Sequence, residues 1–286
     1  MKRANLGLLI AGMICAAGAV AAPAAGGDDA LVTTDKAFVQ AYDKGDMATV
    51  RKYLDADFTW LDTDGVLYYK DDALALKLKP LVAAGDDMKI VEHKYGKVVW
   101  IQENRGNQYA AHFWVQRPEG WKLLHNSEIA TRPRSENPDG RSPYAVPCVN
   151  PCRELPYKPA TANEKAALQA WQQQEDGTPE HWNMHVADSQ VVVGSYGLST
   201  KADRWAGIQK REQSHQPKVG TAPALFVRMW DLGTAVVAIM CQPTYNGKAY
   251  WSSRVFAPNK EGRWMMMESY HTTIQASPVM NAVEGK

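Results

Sequence analysis

Charge of either sign is balanced in this chain: Lys plus Arg total 32 and Asp plus Glu 31, for a formal net charge of +1. That balance excludes nucleic-acid binding driven by overall charge. Gly (21) and Pro (16) are too few for a collagen-like or low-complexity chain. No Gly-x-Ser-x-Gly elbow, Walker loop or dinucleotide fingerprint occurs, which removes the commonest hydrolase and nucleotide-binding signatures. Phenylalanine is scarce, at 5 against 10 Trp. Hydrophobic residues make up 45% and charged residues 22% of the 286, as in a globular protein of one large or two ordinary domains.

The N-terminus has its own pattern. Met1-Lys2-Arg3 precedes an apolar run from Leu6 to Val20 that is rich in Gly and Ala and ends Ala19-Val20-Ala21. This is the plan of a secretory signal peptide spanning 1–21, and the run is short for a membrane span. A periplasmic or secreted location is therefore expected, with no integral membrane span after cleavage. Loss of Lys2 and Arg3 leaves 30 basic against 31 acidic residues, or −1. In an oxidising compartment Cys148 and Cys152 can close a small disulfide loop. They lie in a Pro-rich stretch, 133–161, that reads as a linker. Cys241, within an apolar run, reads as a buried free thiol, although a bridge from it to a linker Cys stays open.

Most informative is an internal repeat at an offset of roughly 130 residues. Helical spacing over Ala30–Tyr42, a break at Gly45-Asp46 and a short helix from Met47 precede the strand Asp57–Asp62. Lys70-Asp71-Asp72-Ala73 then opens another helix. The second copy repeats the order with Glu164–Trp171, the break Gly177-Thr178-Pro179, a helix from Glu180, the strand Gln190–Val193, and Lys201-Ala202-Asp203. Asp57 is separated from Lys70 as Asp188 is from Lys201. Each copy continues into β-rich stretches and ends with a Gly-containing turn, a Trp (Trp121, Trp264) and a last strand. The expected class is α+β, with helices against a curved sheet. Expected boundaries are 28–132 for the first domain, 162–277 for the second and 278–286 for a tail.

The residues Ala37-Phe38, Tyr42, Gly45-Asp46, Asp57-Phe58-Thr59-Trp60, Asp64-Gly65 and Gly120-Trp121-Lys122-Leu123-Leu124-His125 resemble the nuclear transport factor 2-like superfamily, more narrowly its SnoaL-like bacterial members. The second copy resembles it more loosely and reads Gly194-Ser195-Tyr196-Gly197 in place of the Asp-Gly turn. The resemblance implies two cone-shaped α+β barrels, each a curved antiparallel sheet wrapped around helices, with a pocket at the open end. Relatives include isomerases, cyclases, dehydratases and non-catalytic binding proteins, so the fold does not choose a function. It also implies a tandem pair whose sheets pack together as a monomeric pseudo-dimer.

Strand alternation puts Phe58, Trp60 and Asp62 on one face, and Trp121, Leu123, His125 and Ser127 on one face unless a bulge intervenes. Asp62 and His125 are thus the candidate acid/base pair. Trp60, His112, Trp114, Trp121 and Glu128 are candidate ligand-binding residues. Against these stand plain structural roles: Asp62 as a turn residue and His125 as a hydrogen-bonded barrel residue. His181 and His185 lie one helical turn apart but lack a third ligand, so neither a metal site nor a cofactor is expected. Three functions stay open: a binder of a small apolar or aromatic molecule in the first domain, an acid/base enzyme acting on a carbonyl compound, and a protein–protein scaffold.

Overall fold

The computed structural model describes residues 29–83, 85, 87–131, 155–214, 224–242 and 249–274. The expected signal peptide, the 278–286 tail and Cys148 with Cys152 lie outside the described residues, as does most of the expected linker. In the first unit, α1 (Asp29–Asp43) and α2 (Met47–Tyr53) lead into β1 (Leu54–Leu61), β2 (Leu67–Tyr69) and α3 (Lys70–Leu76). Four strands complete it: β3 (Lys89–Tyr95), β4 (Val98–Arg105), β5 (Gln108–Arg117) and β6 (Gly120–Ala130). The second unit repeats the order: α4 (Ala162–Gln174), α5 (Pro179–His185), β7 (Val186–Gly194), β8 (Gly197–Thr200), α6 (Lys201–Gln213), β9 (Phe226–Asp231), β10 (Val236–Gln242), β11 (Tyr250–Pro258) and β12 (Trp264–Thr273).

Local chemistry sets the helix boundaries. Gly45 turns at φ 71°, and the Asp46 side chain then caps α2 by accepting from the Thr49 N–H at 3.1 Å. Pro179 opens α5, where a missing N–H costs nothing. Thr200 and Asp203 form a reciprocal capping box at the start of α6. The repeated lysines also have a shared role. Lys70 Nζ donates to the carbonyls of Leu54 and Asp55, at 3.1 and 2.9 Å. Lys201 Nζ donates to those of Asn183 and Val186, at 2.9 and 2.8 Å. Each ties the third helix of its unit to the junction of short helix and first strand.

The strand orders are β2-β1-β6-β5-β4-β3 and β8-β7-β12-β11-β10-β9, so the duplication holds at the level of topology. Both sheets are mixed rather than wholly antiparallel, because β6 and β12 insert beside the first strand of their unit and run parallel to it. The last strand follows its neighbour through a hairpin, which sets its direction. Every other pairing is antiparallel.

Both faces of the central strands are buried. The inner face of the first sheet packs Val99, Ile101, Trp114 and Leu123 against Phe38 and Tyr42 of α1. The second unit does the same with Val236, Ala238, Phe256 and Met266 against Ala167 and Trp171 of α4. The outer faces meet each other in a third core, where Trp100, Phe113 and Val115 pack with Val237, Cys241, Trp251 and Tyr270. Fully burying one such side chain contributes roughly 1.5–3 kcal/mol, so this shared core couples the two units. Cys241 is a buried free thiol there, and burial pushes it up to about 12.

Polar contacts fix the register of the two units. Trp251 Nε1 donates to the Gly65 carbonyl at 3.0 Å and Tyr270 Oη to that of Ala110 at 3.2 Å. Glu268 accepts from Tyr95 Oη at 2.5 Å and pairs with His93. Gly65, at φ 79°, sits so close to the second unit that a Cβ there would lie 2.7 Å from Ile274 Cα.

Candidate functional site

Helix α1 presents Leu31, Asp35, Phe38 and Tyr42 to the sheet, at helical spacing on one stripe, and all four are buried. Asp35 is thus an acid on an apolar face. Its Oδ1 accepts from Trp114 Nε1 at 2.6 Å and from His112 Nδ1 at 2.7 Å. Glu103 is the next inward position of β4 after Val99 and Ile101, opposite Ala110. Asp35, Glu103 and His112 offer donor atoms that all lie within 4.8 Å of one another, and all three side chains are buried.

A second acid lies two residues beyond Asn126 on β6. Glu128 Oε1 accepts from the Leu81 N–H at 2.8 Å and from Asn126 Nδ2 at 3.2 Å. Aromatic rings enclose the group: Phe38 meets His112 edge to face at 5.6 Å, and Tyr42 meets Trp60 likewise at 5.4 Å.

The electrostatics follow from burial and crowding. Burial, with Asp35 and Glu128 nearby, pushes Glu103 up to about 8, although His112 opposes the shift. Burial raises Glu128 to about 7 against the pull of its hydrogen bonds. For His112, burial disfavours the charge, but Asp35 and Glu103 outweigh it and lift the imidazole to about 9. Ionised, Glu103 has no donor among the described residues; protonated, its hydroxyl can donate to Asp35. At neutral pH the group therefore holds a protonated imidazole beside Asp35 and a largely neutral Glu103.

Three atoms in this network have no partner among the described residues: Tyr42 Oη, His112 Nε2 and Asn126 Oδ1. Leaving a buried donor or acceptor unmet costs roughly 1–3 kcal/mol, so such a concentration calls for partners, supplied by buried water or by a bound molecule. Asp35, Glu103 and His112 match a divalent-cation donor set by residue type. A cation would have to displace the proton held on His112 up to about 9.

The sequence reading named part of this site. Trp60, His112, Trp114 and Glu128 lie on the inner face with α1, and Trp121 packs half-buried at its edge. The proposed pairing of Asp62 with His125 does not form. Between Phe113/His125 and Trp114/Leu123 the register shifts, so the bulge at Leu124 turns His125 to the outer face. His125 contacts Thr59 Oγ1 at 2.9 Å and Ser253 Oγ of the second unit at 2.7 Å. Burial drives it down to about 3, so it is neutral and structural. Asp62 takes the turn role: its Oδ1 accepts from the Asp64 and Val66 N–H groups at 3.0 and 2.9 Å, and its Oδ2 from Tyr68 Oη at 3.2 Å.

His181 and His185 do not converge either. His181 Nδ1 pairs with Asp176 at 2.5 Å, while His185 Nδ1 donates to the His181 carbonyl at 2.9 Å. Asp35, Glu103, Tyr42 and Asn126 are not among the site residues expected from the sequence. The available signal was an acid on the apolar stripe of α1 and an acid at an inward position of β4.

No family model and no curated protein matches this chain. Solved structures do. An NTF2-like protein from Cytophaga hutchinsonii is 13% identical, covering 40% of this chain and 100% of its own, with a TM-score of 0.34. A protein of unknown function with a cystatin-like fold from Nostoc punctiforme is 11% identical, over 42% of this chain and 97% of its own, at 0.32. An NTF-2-like protein of unknown function from Silicibacter pomeroyi is 11% identical, over 39% and 93%, at 0.30. Each spans about one unit. The duplicated α+β plan rests on the strand order and helix placement described above.

Proposed function

We propose that the first unit binds a small molecule with an apolar or aromatic body and a polar head. The rings of Phe38, Tyr42, Trp60 and Trp114 would hold the body. The head would reach Tyr42, Glu103, His112 and Asn126. The observation that carries this reading is the set of buried polar atoms without partners on that inner face. We place the protein outside the cytoplasm, as a monomer, on the strength of the N-terminal pattern and the shared core between the units.

A second reading has one specific support. Glu128 at about 7 and Glu103 at about 8 lie on either side of the pH range where a general acid and base work best. A neutral Glu103 can turn its hydroxyl from Asp35 to a carbonyl oxygen while Glu128 exchanges a proton. This is the acid/base chemistry expected of an enzyme acting on a carbonyl compound.

Mass spectrometry of small molecules released from the natively purified protein tests the binding reading. An organic compound present with the wild type and depleted with Glu103→Leu and Tyr42→Phe supports it. Release of the same compounds in the same amounts from all three proteins contradicts it.

A further inference from the structure

The inner face of the second unit is not a copy of the first in charge. Asn126 pairs with Trp60 of the first strand, and Ser269 pairs with Val192, so the two positions correspond. Their β5 and β11 neighbours are His112 and Arg254, and two residues further along the last strand lie Glu128 and His271. The two faces thus differ in charge: Arg254 stands where the first unit has His112, and His271 where it has Glu128.

Arg254 is 1% exposed. Its Nη2 donates to Gln242 Oε1 at 3.2 Å and lies 3.5 Å from Glu175 Oε1. Its Nε and Nη1 have no acceptor among the described residues. Gln242 cannot supply more, because its Oε1 already receives Tyr250 Oη at 3.3 Å and Ser252 Oγ at 3.5 Å. That leaves the Gln242 amide Nε2 without an acceptor too, and buried Gln190 is unpaired at both its Nε2 and Oε1.

His271 beside them is kept neutral by burial and by the charges of Arg254 and Arg204. Two guanidinium groups, Arg204 and Arg254, thus face one carboxylate, Glu175. The unmet groups are mostly donors, the charge excess is positive, and the walls at Trp171, Met240 and Phe256 are apolar.

We propose that the inner face of the second unit is a binding site for a small organic carboxylate, with Arg254 as its anchor. A carboxylate supplies the acceptors that the guanidinium and the Gln242 amide lack, in the planar geometry a guanidinium prefers. Its organic part lies against Trp171, Met240 and Phe256. The site is separate from the one in the first unit and does not depend on that reading. The duplication would then have produced two sites with opposite preferences, one for a group that accepts and donates, the other for an anion.

Isothermal titration calorimetry on the whole chain with acetate, hexanoate and benzoate tests this, with benzamide as the uncharged analogue of benzoate. The expected result is one saturable site for hexanoate or benzoate and none for benzamide. Arg254→Met should weaken binding by at least about tenfold, and Arg254→Lys should weaken it less. Arg105→Met, which removes a surface guanidinium paired with Asp87, should leave it unchanged. The proposal is overturned by benzamide binding as benzoate does, by unchanged affinity in Arg254→Met, or by no saturable binding of any of the three carboxylates.

Discussion

Asp35, Glu103, Glu128 and His112 concentrate four titratable groups on one buried face, and their effect on stability has a definite sign. Glu103 and Glu128 have folded values of about 8 and about 7, above the ordinary carboxylate range. The native state therefore binds more protons than the unfolded one, and stability falls as pH rises from the ordinary glutamate value through these folded values. His112, at about 9, contributes stability that is complete below its ordinary value and lost as pH rises through about 9. Both trends act together from neutral pH upward. Urea unfolding at a series of pH values should show stability declining from pH about 7 to about 9. Glu103→Gln should flatten that decline and be more stable than wild type at the alkaline end. A flat wild-type profile would contradict the protonation states assigned here. These acids were legible in the sequence only as exceptions: Asp35 breaks the apolar stripe of α1, and Glu103 breaks the inward alternation of β4.

At the scale of elements, the repeat made most helices and strands readable, because the same order of breaks and β-rich runs occurs twice. The short strands β2 and β8 were less visible: they span only Leu67–Tyr69 and Gly197–Thr200, too little for an alternation to register. Failure at the Asp62–His125 pair has a single physical cause. A bulge absorbs Leu124 and reverses the side-chain direction of all that follows on β6. Strict alternation carried Trp121 and Leu123 correctly inward and then placed His125 on the wrong face. The repeated lysine, by contrast, was visible as equal spacing before its role was known. Lys70→Met and Lys201→Met should each cost about 1–2 kcal/mol in urea unfolding, since each removes charged hydrogen bonds to two carbonyls. Equal stability of both variants and the wild type would show that the lysines do not hold the helix to the strand.

For the whole molecule, the shared core is the decisive feature. The outer faces of both sheets are covered by each other, so neither unit is expected to keep its native packing alone. Thermal unfolding followed by Trp fluorescence and by far-UV circular dichroism should give one coincident transition. Two separated transitions would mean the cores are independent. Gly65→Ala should lower that transition, at a cost of order 1–3 kcal/mol, because it forces φ 79° on a side chain and drives a Cβ into Ile274. An unchanged midpoint would contradict the close approach of the two units. Light scattering should report a monomer, because the outer face of each sheet is already covered by the other unit. The sequence showed that there were two units; which residues would face the partner depended on the bulge and was hidden with it.

The central claim is that the inner face of the first unit is built to hold a small molecule. A crystal structure of the natively purified protein tests it most directly, through the electron density beside Tyr42 Oη, His112 Nε2 and Asn126 Oδ1. The account predicts ordered non-protein density within hydrogen-bonding distance of at least two of these atoms, lying against Trp60 or Trp114. Side chains that repack to pair those atoms with one another, leaving no such density, would contradict it.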